Sequence, residues 1–239
     1  MGNVKFSTSL TELPFSKIFF KLAIPNLYST LIASLTVIFD LWYVGQIGVS
    51  QLAGVAYIFP IYMLTSMLSN GAFGGAVSGA TARAFGSRNI FQAECIFRSA
   101  IIIAALGSAI MMGIFFSFAE IFFEFFEINK EVTFSALTYG SILLSGIVLI
   151  WLFNIVIAIT RGSGNTIIPA IGWSIVLISH IIIASLNFEY NEGILTLINT
   201  VDLFNGRYIF TSLEWSIISL LMGYLIGIFF VCGFYFFGE

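Results

Sequence analysis

The sequence predicts an all-α, polytopic membrane protein with six transmembrane helices. Three observations carry this. Of the 239 residues, 59% are hydrophobic and 9% charged, whereas a soluble domain carries about 25% charged residues. Mean hydropathy is +1.04, and Phe alone accounts for 27 positions. The apolar runs between charges lack period-two alternation, and each exceeds the roughly 9–11 residues of a spanning strand. Helices are therefore expected rather than a barrel. This much apolar surface excludes a water-soluble enzyme. Nine scattered Lys and Arg at a net charge of −3 leave no basic patch for nucleic acid.

Residues 1–17 read as a polar cytoplasmic segment and 18–239 as one six-helix transmembrane lobe. The first apolar run is too long for a signal-peptide core and no small-residue cleavage site follows it, so it is expected to stay in the mature protein. The first span, Ile18–Val44, carries the one charge between Leu22 and Ala82, Asp40, about a turn from its outer end. Counting back from Asp40 in steps of 4, 3, 4 and 3 gives Thr36, Ala33, Ser29 and Asn26. At about 100° per residue these five lie within about 80° of arc. The second span, Ala53–Ala82, holds Gly71, Gly75 and Gly79 at intervals of four, a small-xxx-small pattern that lets helices approach closely. Pro25 and Pro60 are expected to bend the first two spans, because each removes a backbone donor. The third span is Ser99–Phe118. The fourth, Leu137–Thr160, has Tyr139 near its outer end and Asn154 deep inside. The fifth, Ile167–Phe188, has the sole histidine, His180, at its middle, and Trp215–Phe237 is the sixth. The longest connection, Glu189–Glu214, contains an apolar patch at Leu195–Ile198 expected to lie along the outer surface. Cys95 and Cys232 read as buried free thiols, with no CxxC and no His/Cys cluster for a metal.

Lys and Arg set the orientation. With the N-terminus inside, Lys5, Lys17, Lys21, Arg83, Arg88, Arg98 and Arg161 fall on the inner side, and Lys130 and Arg207 on the outer. Both termini are therefore expected in the cytoplasm.

Intramembrane ionisable and polar groups are the candidates for chemistry, because they are costly and mark ion or substrate paths. The stripe Asn26–Ser29–Thr36–Asp40 is either a helix-packing face ending in an interfacial acid or the lining of a watery cavity whose acid exchanges protons. Asn154 faces the bundle, as an interhelical hydrogen bond or as a ligand. His180 is either a satisfied interhelical donor or a titrating group. No enzyme is expected. An intramembrane serine protease needs GxSG, which is absent. Ser174 and His180 lie six residues apart on one helix, about 240° around it, too far to pair as nucleophile and base. HExxH, Walker A and GxGxxG are also absent.

Three stretches resemble the multidrug and toxic compound extrusion (MATE) family. The first runs from Ala23-Ile-Pro25 through Phe39-Asp40-Leu-Trp-Tyr-Val44-Gly45-Gln-Ile-Gly48 to Gln51-Leu-Ala-Gly-Val-Ala56. It is similar to the family's first helix and its entry to the second. The second runs from Gly71 to Ala80-Thr-Ala-Arg83-Ala-Phe-Gly86-Ser-Arg88, and the third is Arg161-Gly162-Ser-Gly164-Asn-Thr166-Ile-Ile-Pro169. This last is similar to the family's turn between helices four and five. Their order and spacing over residues 18–170 make the likeness strong. The resemblance implies one lobe of a twelve-helix, two-lobed antiporter of the plasma membrane. A proton or Na⁺ gradient would drive efflux of small organic, often cationic, molecules, without a bound cofactor. It implies that Asp40 is the first-helix acid of cation exchange, with Tyr139, Asn154 and His180 as further cation- or substrate-binding positions. Some branches carry a second acid where this chain has Ala184, so the oxygen-rich site of a Na⁺ ion is lacking and proton coupling is favoured. The implied partners are the bilayer and a second six-helix lobe, either a C-terminal half or a second copy. A polar cavity face is then expected as an open groove on the single lobe. A flippase-type exporter of lipid-linked sugars from the same superfamily would need a basic cavity, and no Lys or Arg lies well inside a span. A non-transporting subunit would tolerate replacement of Asp40.

The charge bias generates a topology test. Reporter fusions at Asn129 and Asn205 are expected to read external, and those at Ser87 and Ser163 cytoplasmic; an external reading at Ser163 would overturn the orientation.

Overall fold

In hydrocarbon every backbone N–H and C=O must be satisfied within the chain, which leaves long helices as the economical solution. The computed structural model describes residues 14–189 and 212–236, and among these residues it contains helices and short turns and no strand. The elements are α1 (Phe15–Ile47), α2 (Val49–Ser66), a π-helical turn (Met67–Phe73), α3 (Gly74–Gly86), α4 (Ile90–Phe125), α5 (Lys130–Ser145), α6 (Ile147–Gly162), α7 (Ile167–Glu189) and α8 (Ser212–Phe236). Five runs are long and apolar enough to cross a membrane: α1, α2–α3, α4, α7 and α8. The α5–α6 pair, bent by 47°, makes the sixth. Asn205 and the Leu195–Ile198 patch lie outside the described residues.

Short polar residues start the helices where the chain re-enters the membrane. Asn89 accepts the amide of Gln92 at 2.9 Å and Asn129 that of Glu131 at 2.8 Å, each satisfying an orphan first-turn donor. Asn165 does the same for Ile167 and Ile168 at 3.1 and 3.2 Å. Pro169 sits in that first turn of α7, where its missing N–H has no helical partner to lose.

The bent fourth span is the central column. On α6, Ile150, Trp151 and the whole run from Phe153 to Thr160 are buried. Helices α3, α4 and α8 pack around α6, α2 lies along α5, and α7 packs between α1 and α8. Close approach rests on glycine. A Cβ on Gly54 would stand 2.7 Å from the Ala136 amide nitrogen, and one on Gly162 would stand 2.7 Å from Thr81 Cβ. Gly164 has a φ of 87°, a left-handed conformation that favours glycine.

Three expectations are corrected. The Gly71/Gly75/Gly79 face does not pack within the lobe. A Cβ at Gly71 or Gly75 would meet nothing within 4 Å, and at Gly79 only the Arg83 side chain. Gly74 is the buried one, 3.7 Å from Ala158 Cβ on the same measure. The cause is the π turn, whose wider i→i+5 winding inserts extra residues and rotates the following face. The fourth span is not one straight helix but breaks at Gly146, beside Ser145, a pairing that commonly permits kinks. Pro25 and Pro60 lie inside the continuous helices α1 and α2. Finally, Cys95 is exposed and Cys232 half-buried, so neither is the deeply buried thiol expected.

The glycine contacts predict a contrast. Gly54→Val is expected to cost about 1–3 kcal/mol through overpacking and to lower the thermal midpoint in detergent. Gly75→Val is expected to leave it unchanged; a large loss at Gly75 would contradict the packing described.

Candidate functional site

Asp40 lies on the buried face of α1 with Ser29, Thr36, Tyr43 and Val44. It is 4% exposed, in the C-terminal third of α1. The fold brings three other spans to its carboxylate. The Tyr139 hydroxyl on α5 donates to Asp40 Oδ2 at 2.6 Å. The Ser216 hydroxyl on α8 donates to Oδ1 at 2.7 Å. His180 on α7 places Nε2 3.7 Å from the same Oδ1. His180 Nδ1 lies 2.8 Å from Ser219 Oγ, whose hydroxyl donates to the Ser216 carbonyl at 2.7 Å. Phe39 stands edge-on to the imidazole, with ring centroids 5.1 Å apart.

Beside the carboxylate a cleft runs between α1, α2, α5 and α8. It is lined by Val37, Asp40, Leu41, Val55, Phe59, Tyr62, Tyr139 and Leu220. The hydroxyls of Tyr62 and Tyr224 approach to 3.3 Å at its edge. The site thus combines an acid, phenol hydroxyls and apolar walls.

The sequence-derived candidates divide at this point. Asp40, Tyr139 and His180 converge. Asn154 does not join them: fifteen positions beyond Tyr139 on the bent span, its Nδ2 donates to Ser69 Oγ of the π turn at 2.8 Å. Asn26, Ser29 and Thr36, the expected cavity-lining residues, lie away from this cleft. Ser29 and Thr36 are buried and return their hydroxyl protons to Pro25 and Ile32 carbonyls at 2.8 and 2.9 Å. The half-buried Asn26 is also absent from the cleft lining. The stripe is a packing face that ends in an acid, as the periodicity allowed. Asp40, Asn154 and His180, expected along an open polar groove, are instead all buried inside the lobe. In the Arg161–Pro169 turn, Gly162 admits α3, Gly164 takes the left-handed bend, and Arg161 Nη1 reaches Asn70 Oδ1 at 3.4 Å. Arg161 thus ties the turn to the π segment and stands apart from Asp40.

Sequence reading missed Ser216, Ser219, Tyr62 and Tyr224. Serines in spanning helices usually bond back to their own backbone, so their spacing gave no signal. Ser219, His180 and Asp40 have the composition of a nucleophilic triad. Ser219, however, is fully buried and gives its proton to a carbonyl, so it is not poised to attack. Ser174 instead donates to the Ala170 carbonyl at 2.9 Å.

The family model for MatE matches residues 25–186. The fold is similar to solved structures of that kind. One is a MATE in complex with MaD5, with a TM-score of 0.79 and 20% identity over 99% of this chain and 49% of that one. Another is an outward-facing multidrug resistance MATE family transporter of the MOP superfamily, with a TM-score of 0.77 and 20% identity, covering 96% and 47%. A third is a MOP superfamily transporter from Pyrococcus furiosus Vc1, whose binding pocket is described as of reverse polarity. Its TM-score is 0.74 and its identity 20%, with 96% and 46% covered. The chain thus spans about half the length of these structures. No curated protein matches it in sequence.

The Tyr139–Asp40 bond predicts an energetic coupling. Tyr139→Phe is expected to cost about 1.5–3 kcal/mol, the range for a hydrogen bond to a charged group. The cost is expected to shrink in an Asp40→Asn background. Additive thermal losses would mean that the bond is not made.

Proposed function

The chain belongs to the MatE family, and from that membership we propose that it forms one six-helix lobe of a proton-coupled exporter of small organic cations. The observation that carries this is the Asp40 carboxylate, buried in the interior, bonded by Tyr139 and Ser216 and opening on an aromatic cleft. A charged Asp40 holds an organic cation. A proton arriving on the carboxylate removes the charge that holds the cation and releases it, so the two ligands exclude one another and exchange is obligatory. A ligand drives a conformational equilibrium only through its differential affinity for the two states, and this competition supplies the difference. Proton rather than Na⁺ coupling is favoured because a metal ion of this kind wants several oxygen ligands. Ala184, aligned with the second acid of some branches, is buried and brings only a methyl group.

The Lys/Arg bias supports cytoplasmic termini, and the family likeness supports the plasma membrane as the exporter's location. Alternating access needs two bodies that rock against each other. A second lobe, as a further half or a second copy of this chain, is therefore part of the proposal, in keeping with relatives twice as long. The enclosed site means that the second lobe is needed for the path across the membrane and not to cover Asp40.

Cells without exporters of their own are expected to accumulate less of a fluorescent organic cation when they produce the protein. Asp40→Asn is expected to restore accumulation while the amount of protein in the membrane stays the same. Undiminished efflux by that variant would remove Asp40 from the mechanism. Liposomes holding single copies of the 239-residue chain are expected to transport nothing; robust uptake by single copies would contradict the need for a second lobe.

A further inference from the structure

We propose that His180 and Asp40 form one proton-holding pair, and that Ser219 fixes which imidazole nitrogen takes part. The pair's role in transport rests on the export function proposed above; its chemistry does not.

Ser219 has one hydroxyl proton and gives it to the Ser216 carbonyl at 2.7 Å. With its proton donated to that carbonyl, which can only accept, Ser219 can only accept from His180 Nδ1, 2.8 Å away; this arrangement satisfies both contacts and puts a hydrogen on Nδ1. In a neutral imidazole that leaves Nε2 as a bare acceptor. Nε2 is buried without a hydrogen-bond partner among the described residues. It faces Asp40 Oδ1 across 3.7 Å. Ser216 occupies one lone pair of Oδ1 and leaves another free. Two bare acceptors facing each other in a membrane interior repel, and neither is satisfied. One proton between them removes the conflict. It resides on Oδ1 and is donated to Nε2, or on Nε2 and is donated to the carboxylate. Passing from the first form to the second breaks the Oδ1–H bond and makes an Nε2–H bond, with no change in total charge. A second proton yields an imidazolium beside a carboxylic acid, one charge more positive. Closing the 3.7 Å gap to an ordinary hydrogen bond takes roughly 0.8 Å.

The titratable neighbours come from every element packed on α7. Helix α1 brings Asp40. Helix α8 brings Tyr224, and Glu214 two residues before Ser216. Helix α6 has Arg161 in its last turn, bonded to Asn70. Asp40 is met by Tyr139 from α5, and Tyr224 by Tyr62 from α2. Of these groups, Asp40 forms the ionic contact with His180. The pair therefore assigns His180 a proton-binding role and Ser219 a positioning role.

His180 is the one histidine in the sequence, so isotope-labelled histidine gives a single imidazole signal in nitrogen NMR of the chain in bilayers. Nδ1 is expected to stay protonated from about pH 5 to 9, with Nε2 the nitrogen that titrates. Asp40→Asn is expected to move the pH of half-protonation of Nε2 by about one unit or more, as for strongly interacting sites. Ser219→Ala is expected to give a mixture of tautomers, which a merely structural role would not produce. Ser219→Thr, which keeps the hydroxyl, is expected to restore the Nδ1–H form. A wild-type imidazole with Nδ1 bare, or a titration that ignores Asp40→Asn, would overturn the pair. If the spectra carry this signature while Asp40→Asn exports normally, the pair stands and the export function falls.

Discussion

A carboxylate inside a membrane is the constraint on which the rest of this structure depends. An unpaired charge there costs several kcal/mol at least, so the fold must either exclude the acid or supply it with donors. This chain does the second. Asp40 is met by a phenol from α5, a hydroxyl from α8 and an imidazole from α7. Three spans remote in sequence are thereby held in one arrangement around the first.

The scaffold that delivers these groups is the bent fourth span. Its first half, α5, carries Tyr139 to the acid, and its second half, α6, is packed on nearly every side. The break at Gly146 lets the two halves serve different neighbours. The π turn on the second span plays a similar part further in. It offers Ser69 to Asn154 and Asn70 to Arg161, so the turn after α6 is linked to the irregular part of α2–α3. Wide helical turns of this kind are frequent at functional positions.

Much of this was legible in the sequence, for physical reasons. Six spans follow from apolar length, which the membrane's thickness dictates. Asp40 stood out because no other charge occurs between Leu22 and Ala82, and His180 because it is alone in an apolar helix. What was not legible depends on helix phase and on tertiary pairing. The glycine face was drawn with a constant turn, and the π segment rotates it, so Gly74 is buried where Gly75 was expected. The polar stripe on α1 ran true to period, yet Ser29 and Thr36 spend their hydroxyls on their own helix. Ser216 and Ser219 could not be distinguished from other spanning-helix serines, because what sets them apart is the residue each faces on another span. Asn154 was rightly placed in the interior, but the 47° bend and the π turn give it a site of its own.

The central claim is that one buried carboxyl group, Asp40, trades a proton for an organic cation. Infrared difference spectroscopy of the protein in bilayers reads this directly, because a protonated carboxyl group has a carbonyl stretch distinct from that of a carboxylate. Adding an organic cation is expected to remove one protonated-carboxyl band and produce a carboxylate band, with both changes absent in Asp40→Asn. A cation that binds while the Asp40 bands stay unchanged would contradict the account.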